Sequence, residues 1–81
     1  MRLTVDLSWN ANTETDLSGY KLTWGDGRSA ERAVMVRGNV TAMQVSALVK
    51  GNTLTTFAVQ AFDVAGNLSE KKVLKAVWVE G

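Results

Sequence analysis

Apolar and polar residues alternate along most of this chain. Residues 2–9 place an apolar side chain at every second position, namely Leu3, Val5, Leu7 and Trp9. Such alternation predicts a β-strand with one buried face. The same pattern predicts strands over 20–24, 31–36, 41–48, 54–63 and 71–80, separated by turns rich in Gly, Asn, Asp and Ser. A helix over 29–37 is the one competitor, and glycines bracket it within a length that is marginal for a helix.

Short strands with frequent turn signals predict an all-β sandwich or barrel. The length of 81 residues allows one domain, so we expect residues 1–81 to form a single unit. Odd and even positions of a strand point to opposite faces, and this parity, together with a family resemblance, indicates which side chains form the core. The core that we expect consists of Leu7, Trp9, Tyr20, Leu22, Val45, Leu48, Phe57, Val59 and Val77.

Composition excludes several function classes. The chain has no cysteine and no histidine, so it lacks disulfides, thiolate sites, the commonest metal ligand and the commonest general base. Its net charge of +1 provides no field of one sign for nucleic acid. No apolar run is long enough for a transmembrane helix. We therefore expect no cofactor, no nucleic-acid partner and no insertion into a membrane.

The tryptophans are the candidate contact residues. Parity places Trp9 in the core, whereas Trp24 stands at a strand end and Trp78 has the parity opposite to the valines of the last strand. One of the last two is expected to be exposed, as a ligand or interface contact. A sugar-stacking platform on Trp24 or Trp78 is the alternative function.

Two polar clusters could carry chemistry. Asn10, Asn12, Glu14 and Asp16 offer oxygen ligands for calcium, but their spacing lacks the glycine and terminal glutamate of a calcium loop. Turn formation, in which Asn and Asp side chains bind backbone amides, explains them as well. The segment "FDVAGNLSE" allows the same two interpretations, and Ser69 and Asp63 have no evident base or paired carboxylate. We expect no catalytic residues, no metal site and no enzyme.

Two ordered motifs resemble fibronectin type III domains, especially those of bacteria and phages. "LSW" is followed by a polar loop that runs to "DLSGY", and "FAVQAFD" leads into "GNLS". In that family, a strand that carries the residues matching Leu7 and Trp9 precedes the loop. The residue that matches Tyr20 begins the next strand. The resemblance covers nearly the whole chain. It implies an immunoglobulin-like sandwich of six to seven strands, here six, divided into sheets of two and four.

The chain departs from the family pattern in two places. Lys50 occupies the position of a turn proline, and Leu54 or Thr55 that of a corner tyrosine, so we expect a bulge or a slipped register near 53–56. The family's first strand also has no counterpart, which would leave the edge of the Leu7 strand bare. Unpaired strand edges are prone to pair with a further strand. Arg2, Asp6 and the outward-facing threonine of this strand could hinder such pairing.

The resemblance implies a non-catalytic structural or interaction module, a spacer or adhesion domain, of a larger extracellular or virion protein of bacterial or phage origin. Its expected partners are neighbouring domains or another chain at the open sheet edge, including a possible homodimer.

Overall fold

Six β-strands make up the regular structure. A computed structural model describes residues 1–12, 16–27, 30–38 and 40–80. The strands are β1 (Arg2–Ser8), β2 (Leu17–Gly25), β3 (Arg32–Arg37), β4 (Ala42–Leu48), β5 (Thr53–Asp63) and β6 (Lys72–Val79). No helix occurs in these ranges, so the prediction of an all-β chain is confirmed, and the competing helix over 29–37 is replaced by β3.

The strands form two antiparallel sheets packed as a sandwich. The smaller sheet pairs β1 with β4, and the larger has the order β3-β2-β5-β6. The predicted division into sheets of two and four strands is confirmed. The inner faces enclose one core, in which Phe57 and Leu22 are both 0% exposed.

The core follows strand parity, with one error in the prediction. The buried expected residues are Leu7, Tyr20, Leu22, Val45, Phe57 and Val59, and Trp9 and Val77 pack against them. Leu48 was expected in the core, and this is wrong because it is 68% exposed. Its strand buries Val45 and Ala47, and Val49 is buried just beyond the strand, so Leu48 has outward parity.

A bulge in β6 changes which side chains face the core. Phe57 pairs with Lys75, but Ala58 pairs with Val73, so Leu74 is the extra residue. Val73 therefore lies on the outer face and is 65% exposed, although alternation groups it with the inward valines. The bulge expected near 53–56 is wrong, because those residues pair with 76–79 without a shift.

A second irregularity lies at the start of β2, where the register shifts between Leu17 and Gly19. A Cβ on Gly19 would overlap the carbonyl oxygen of Val36 and come within 2.8 Å of the Phe62 ring. Glycine therefore permits the close approach that lets β2 begin at Leu17, three residues before the expected position.

The hydrogen bonds at the two ends of β1 determine which of its backbone groups face β4. The amide of Val49 donates to the carbonyl of Met1 at 2.8 Å, and the amide of Trp9 donates to the carbonyl of Thr41 at 2.9 Å. The register between these ends is unbroken. In an antiparallel ladder, bonded pairs alternate with unbonded ones. The odd residues of β1 therefore bond to β4, and the even residues point their N–H and C=O groups to the free edge.

Both ends of the described chain lie at the same end of the sandwich. The amino group of Met1 donates to the carbonyl of Val49 at 3.1 Å. The carbonyl of Val79 accepts from the amide of Asn52 at 2.6 Å. The loops at the opposite end join β1 to β2, β3 to β4, and β5 to β6.

A pair of proline variants tests the assignment of the free edge. Thr4→Pro removes an amide that points to solvent, so its free energy of unfolding should stay within about 1 kcal/mol of the parent value. Val5→Pro removes an amide that bonds to Val45 and leaves a buried carbonyl unpaired, which should cost about 1–3 kcal/mol or more. Urea unfolding measures both values, and equal losses would contradict the assignment.

Candidate functional site

The smaller sheet has two free edges, one on β1 and one on β4, and the β1 edge is the one that faces β6 across the gap between the sheets. The edge-facing groups of β1 belong to Arg2, Thr4, Asp6 and Ser8. Lys75 of β6 reaches across the gap between the sheets, and its Nζ donates to the carbonyl oxygen of Asp6 at 3.3 Å. Among the described residues this is the one side chain that caps a β1 edge carbonyl. The remaining edge groups are free to pair with a further strand.

A cleft lies between the end of β1 and the start of β6. Its volume is about 440 Å³. The walls include the core side chains Trp9, Tyr20, Val59, Ala61 and Leu74. Trp9, Ala61 and Leu74 are half-buried there, whereas Tyr20 and Val59 are already buried, so the cleft exposes only the margin of the core.

Trp9 forms one wall of the cleft and has an unsatisfied polar atom. Its ring meets Tyr20 edge-on, with ring centroids 5.4 Å apart. Its indole Nε1 is buried without a hydrogen-bond partner. The Tyr20 hydroxyl accepts from the amide of Asn12 at 2.8 Å, which holds the first loop over the cleft. An unpaired buried donor costs free energy, so an acceptor that enters the cleft would relieve this cost.

The two candidate tryptophans have opposite environments. Trp24 is 8% exposed and stacks on Phe57 with ring centroids 6.0 Å apart, so it offers little surface to a ligand. Trp78 is 58% exposed and pairs across the strands with Leu54, which is 49% exposed. Of the two candidates, Trp78 is therefore the one that lies on an accessible face.

The outer face of the larger sheet carries several exposed apolar side chains, namely Met35, Leu54, Val73 and Trp78. An ion pair lies beside them, where Lys71 Nζ is 3.4 Å from a carboxylate oxygen of Glu31. This surface is broad and open, and it differs from the cleft in having no unpaired backbone edge.

The Asp63 carboxylate is occupied in holding a turn. It accepts from the amides of Ala65 at 3.0 Å and Asn67 at 2.8 Å, and from the Asn67 side chain at 3.1 Å. The amide of Asn67 is the main cause that lowers the pKa of Asp63, helped by the Asn67 side chain and the amides of Ala65 and Gly66; partial desolvation opposes them. Gly66 has a φ of 87°, which favours glycine.

Ser69 also has a backbone role. Its hydroxyl accepts from the amide of Ala61 at 2.9 Å and so ties the turn to β5. The "FDVAGNLSE" segment thus uses its polar side chains for turn formation.

The first loop contacts the Asp63 turn at a position that the structure describes. The carbonyl of Asp16 accepts from the amide of Val64 at 3.1 Å. Asn10 is exposed and Asn12 is half-buried, and Glu14 lies outside the described residues. No group of three potential acidic, histidine or cysteine metal ligands occurs within the described ranges. Within the same ranges, no helix is long and apolar enough to span a membrane.

Sequence reasoning anticipated the bare edge but missed the cleft and the role of Lys75. The signal for Lys75 was present, because it interrupts an apolar strand at a position of inward parity. Inward-pointing lysines are a known device for protecting sheet edges. The cleft could not be found from the sequence, because it depends on how far apart the two sheet edges lie.

Comparison with protein-family models, with curated proteins and with solved structures finds no match to this chain. The site must therefore be interpreted from its own geometry.

The Asp63 turn predicts a specific dependence of stability on pH. A carboxyl whose pKa is lowered by folding stabilises the fold above its unfolded pKa of about 4, and this stabilisation is lost as pH falls through the folded value. Asp63→Asn should therefore lower the melting temperature at neutral pH, and the difference from the parent should shrink below about pH 4. Thermal melts across pH test this. Asp16→Asn, at an exposed acidic residue, serves as the control and should show no such convergence.

Proposed function

We propose that this chain is a fibronectin type III-like module that acts through contact, without catalysis, within a larger extracellular or virion protein of bacterial or phage origin. The "LSW", "DLSGY" and "GNLS" motifs support the family. The division into sheets of two and four strands agrees with what such a domain without its first strand would have.

One observation carries the contact function, namely the free edge of β1 beside the cleft. Edge strands that are left unpaired are templates for another strand. The edge of β6 differs, because a bulge at Leu74 and the inward Lys75 both hinder pairing there. The β1 edge has one capped carbonyl and otherwise regular geometry, so we assign the contact to it.

Hydrogen exchange measured residue by residue tests the proposal. In dilute solution the amides of Thr4, Asp6 and Ser8 should exchange rapidly, and those of Leu3, Val5 and Leu7 should be protected. Light scattering on the same samples over a dilution series would reveal whether a second copy pairs with the edge at high concentration. If all six amides are protected in a dilute monomer, the edge is already covered and the proposal fails.

A carbohydrate-binding module is the second candidate, and the exposure of Trp78 favours it. Aromatic faces on an open sheet can stack on sugar rings, although exposed aromatic side chains also mark protein interfaces. Leu54 beside Trp78, and Val73 further along the same face, supply few hydrogen-bonding groups for sugar hydroxyls, so we rank this function second.

Tryptophan fluorescence distinguishes the two functions. If sugars bind, oligosaccharides should change the emission of the parent and of Trp24→Phe, and they should not change that of Trp78→Ala. The contact module predicts no change in any of the three. A saturable change that disappears only in Trp78→Ala would establish the second function.

A further inference from the structure

We propose that the cleft between β1 and β6 binds an extended segment of a separate polypeptide, which adds to the edge of β1 and inserts an apolar side chain between the sheets. The segment alternates apolar with polar residues and carries an acidic residue beside Lys75. This inference rests on the proposed contact function and specifies the chemistry of its partner.

The backbone of β1 sets the conformation of the partner. Its even residues present N–H and C=O groups at the two-residue spacing of a strand, so the partner must be extended to pair with them. β1 is seven residues long, from Arg2 to Ser8. A segment of about five to seven residues would therefore match it.

The cleft sets the side-chain pattern. A strand added to the smaller sheet would point every second side chain towards Trp9, Ala61 and Leu74, which line the cleft and are half-buried. An apolar side chain inserted there would bury their exposed apolar surface, whereas the rim of the cleft is polar. A backbone carbonyl of the segment could also accept from Trp9 Nε1, which has no partner.

The charges on the β6 rim favour an acidic partner. Lys72 lines the cleft, and Lys75 spans the gap to Asp6. Lys71–Glu31 is the one ion pair within the described ranges, so neither rim lysine has a carboxylate within 4.0 Å there. Glu70 also lines the cleft. The carboxylate of Asp6 lies on the outer face of the smaller sheet, where it accepts from Gln44 at 3.0 Å, so the charges beside the cleft itself are those of two lysines and Glu70.

A second copy of this chain fits the cleft poorly. Its own β1 could extend the smaller sheet, but the inward side chains of that strand, Val5 and Leu7, are already 5% and 3% exposed in their own core. Such a copy would pair backbones and leave the cleft unfilled. A separate segment with free apolar side chains satisfies both the edge and the cleft.

A titration with a defined peptide tests the inference. The probe is an acetylated and amidated seven-residue peptide that alternates valine with threonine, with one threonine replaced by glutamate. Nuclear magnetic resonance should show that the Thr4, Asp6 and Ser8 amides gain protection and that the Trp9 indole N–H signal shifts, while the Trp24 and Trp78 signals stay in place. Thr4→Pro removes one edge donor and should weaken binding roughly two- to tenfold.

A charge reversal tests the role of Lys75. Lys75→Glu should weaken binding of the glutamate peptide roughly two- to fivefold and strengthen binding of a peptide with lysine in its place. Lys21→Glu changes the net charge equally, on β2 at the outer face of the same sheet, and should alter neither affinity.

The outcomes separate this inference from the proposed function. Rapid exchange at the even β1 residues without peptide binding would overturn the inference and leave the contact function standing. Binding that shifts Trp78 and leaves Trp9 unchanged, or that responds equally to the Lys75 and Lys21 variants, would also overturn it. Protection of those amides before any peptide is added would overturn both.

Discussion

Two strands cannot cover the inner face of four, and this mismatch in width governs the structure. The larger sheet buries Phe57 and Leu22 completely where the smaller sheet lies over it. Towards β6 the cover is incomplete, and the half-buried side chain of Leu74 lines a cleft. Because apolar side chains are stabilised by removal from water, an uncovered part of the core is both a cost to the free domain and a binding surface.

A few specific contacts limit unwanted strand pairing beside the cleft. Lys75 bridges the gap and caps the carbonyl of Asp6. The bulge at Leu74 breaks the regular edge of β6 and still directs an apolar side chain towards the core. Both devices reduce indiscriminate pairing, and a lysine side chain can be displaced by a strand that offers better contacts. The proposed segment would have to displace Lys75 from the carbonyl of Asp6 in order to pair with the edge.

The sequence predicted the strands and most of the core because period-two alternation follows directly from strand geometry. The prediction failed where a difference of one residue decides which face of the sheet a side chain lies on. Leu48 was assigned to the core because it is large and apolar, whereas its neighbours Ala47 and Val49 occupy the inward positions. Val73 was grouped with the inward valines because a bulge leaves no clear signature in an apolar strand.

The candidate site was only partly predictable for a different reason. The exposure of one tryptophan followed from parity, but the choice between Trp24 and Trp78 depended on which sheet face is covered. The bare edge of β1 was expected from a missing strand. The cleft requires the separation between two sheets, which no local pattern encodes.

Polar side chains in this protein mainly hold the backbone, and this bears on function. Asp63, Asn67 and Ser69 bind amides and carbonyls of their own turn and of β5. At the cleft, a partner would meet backbone groups of β1, half-buried apolar side chains and the charges of Lys72 and Lys75. A segment that binds the folded state alone would also raise its stability by mass action. Contact at the β1 edge and completion of the core would then be one event, which links the fold's weakest point to its proposed function.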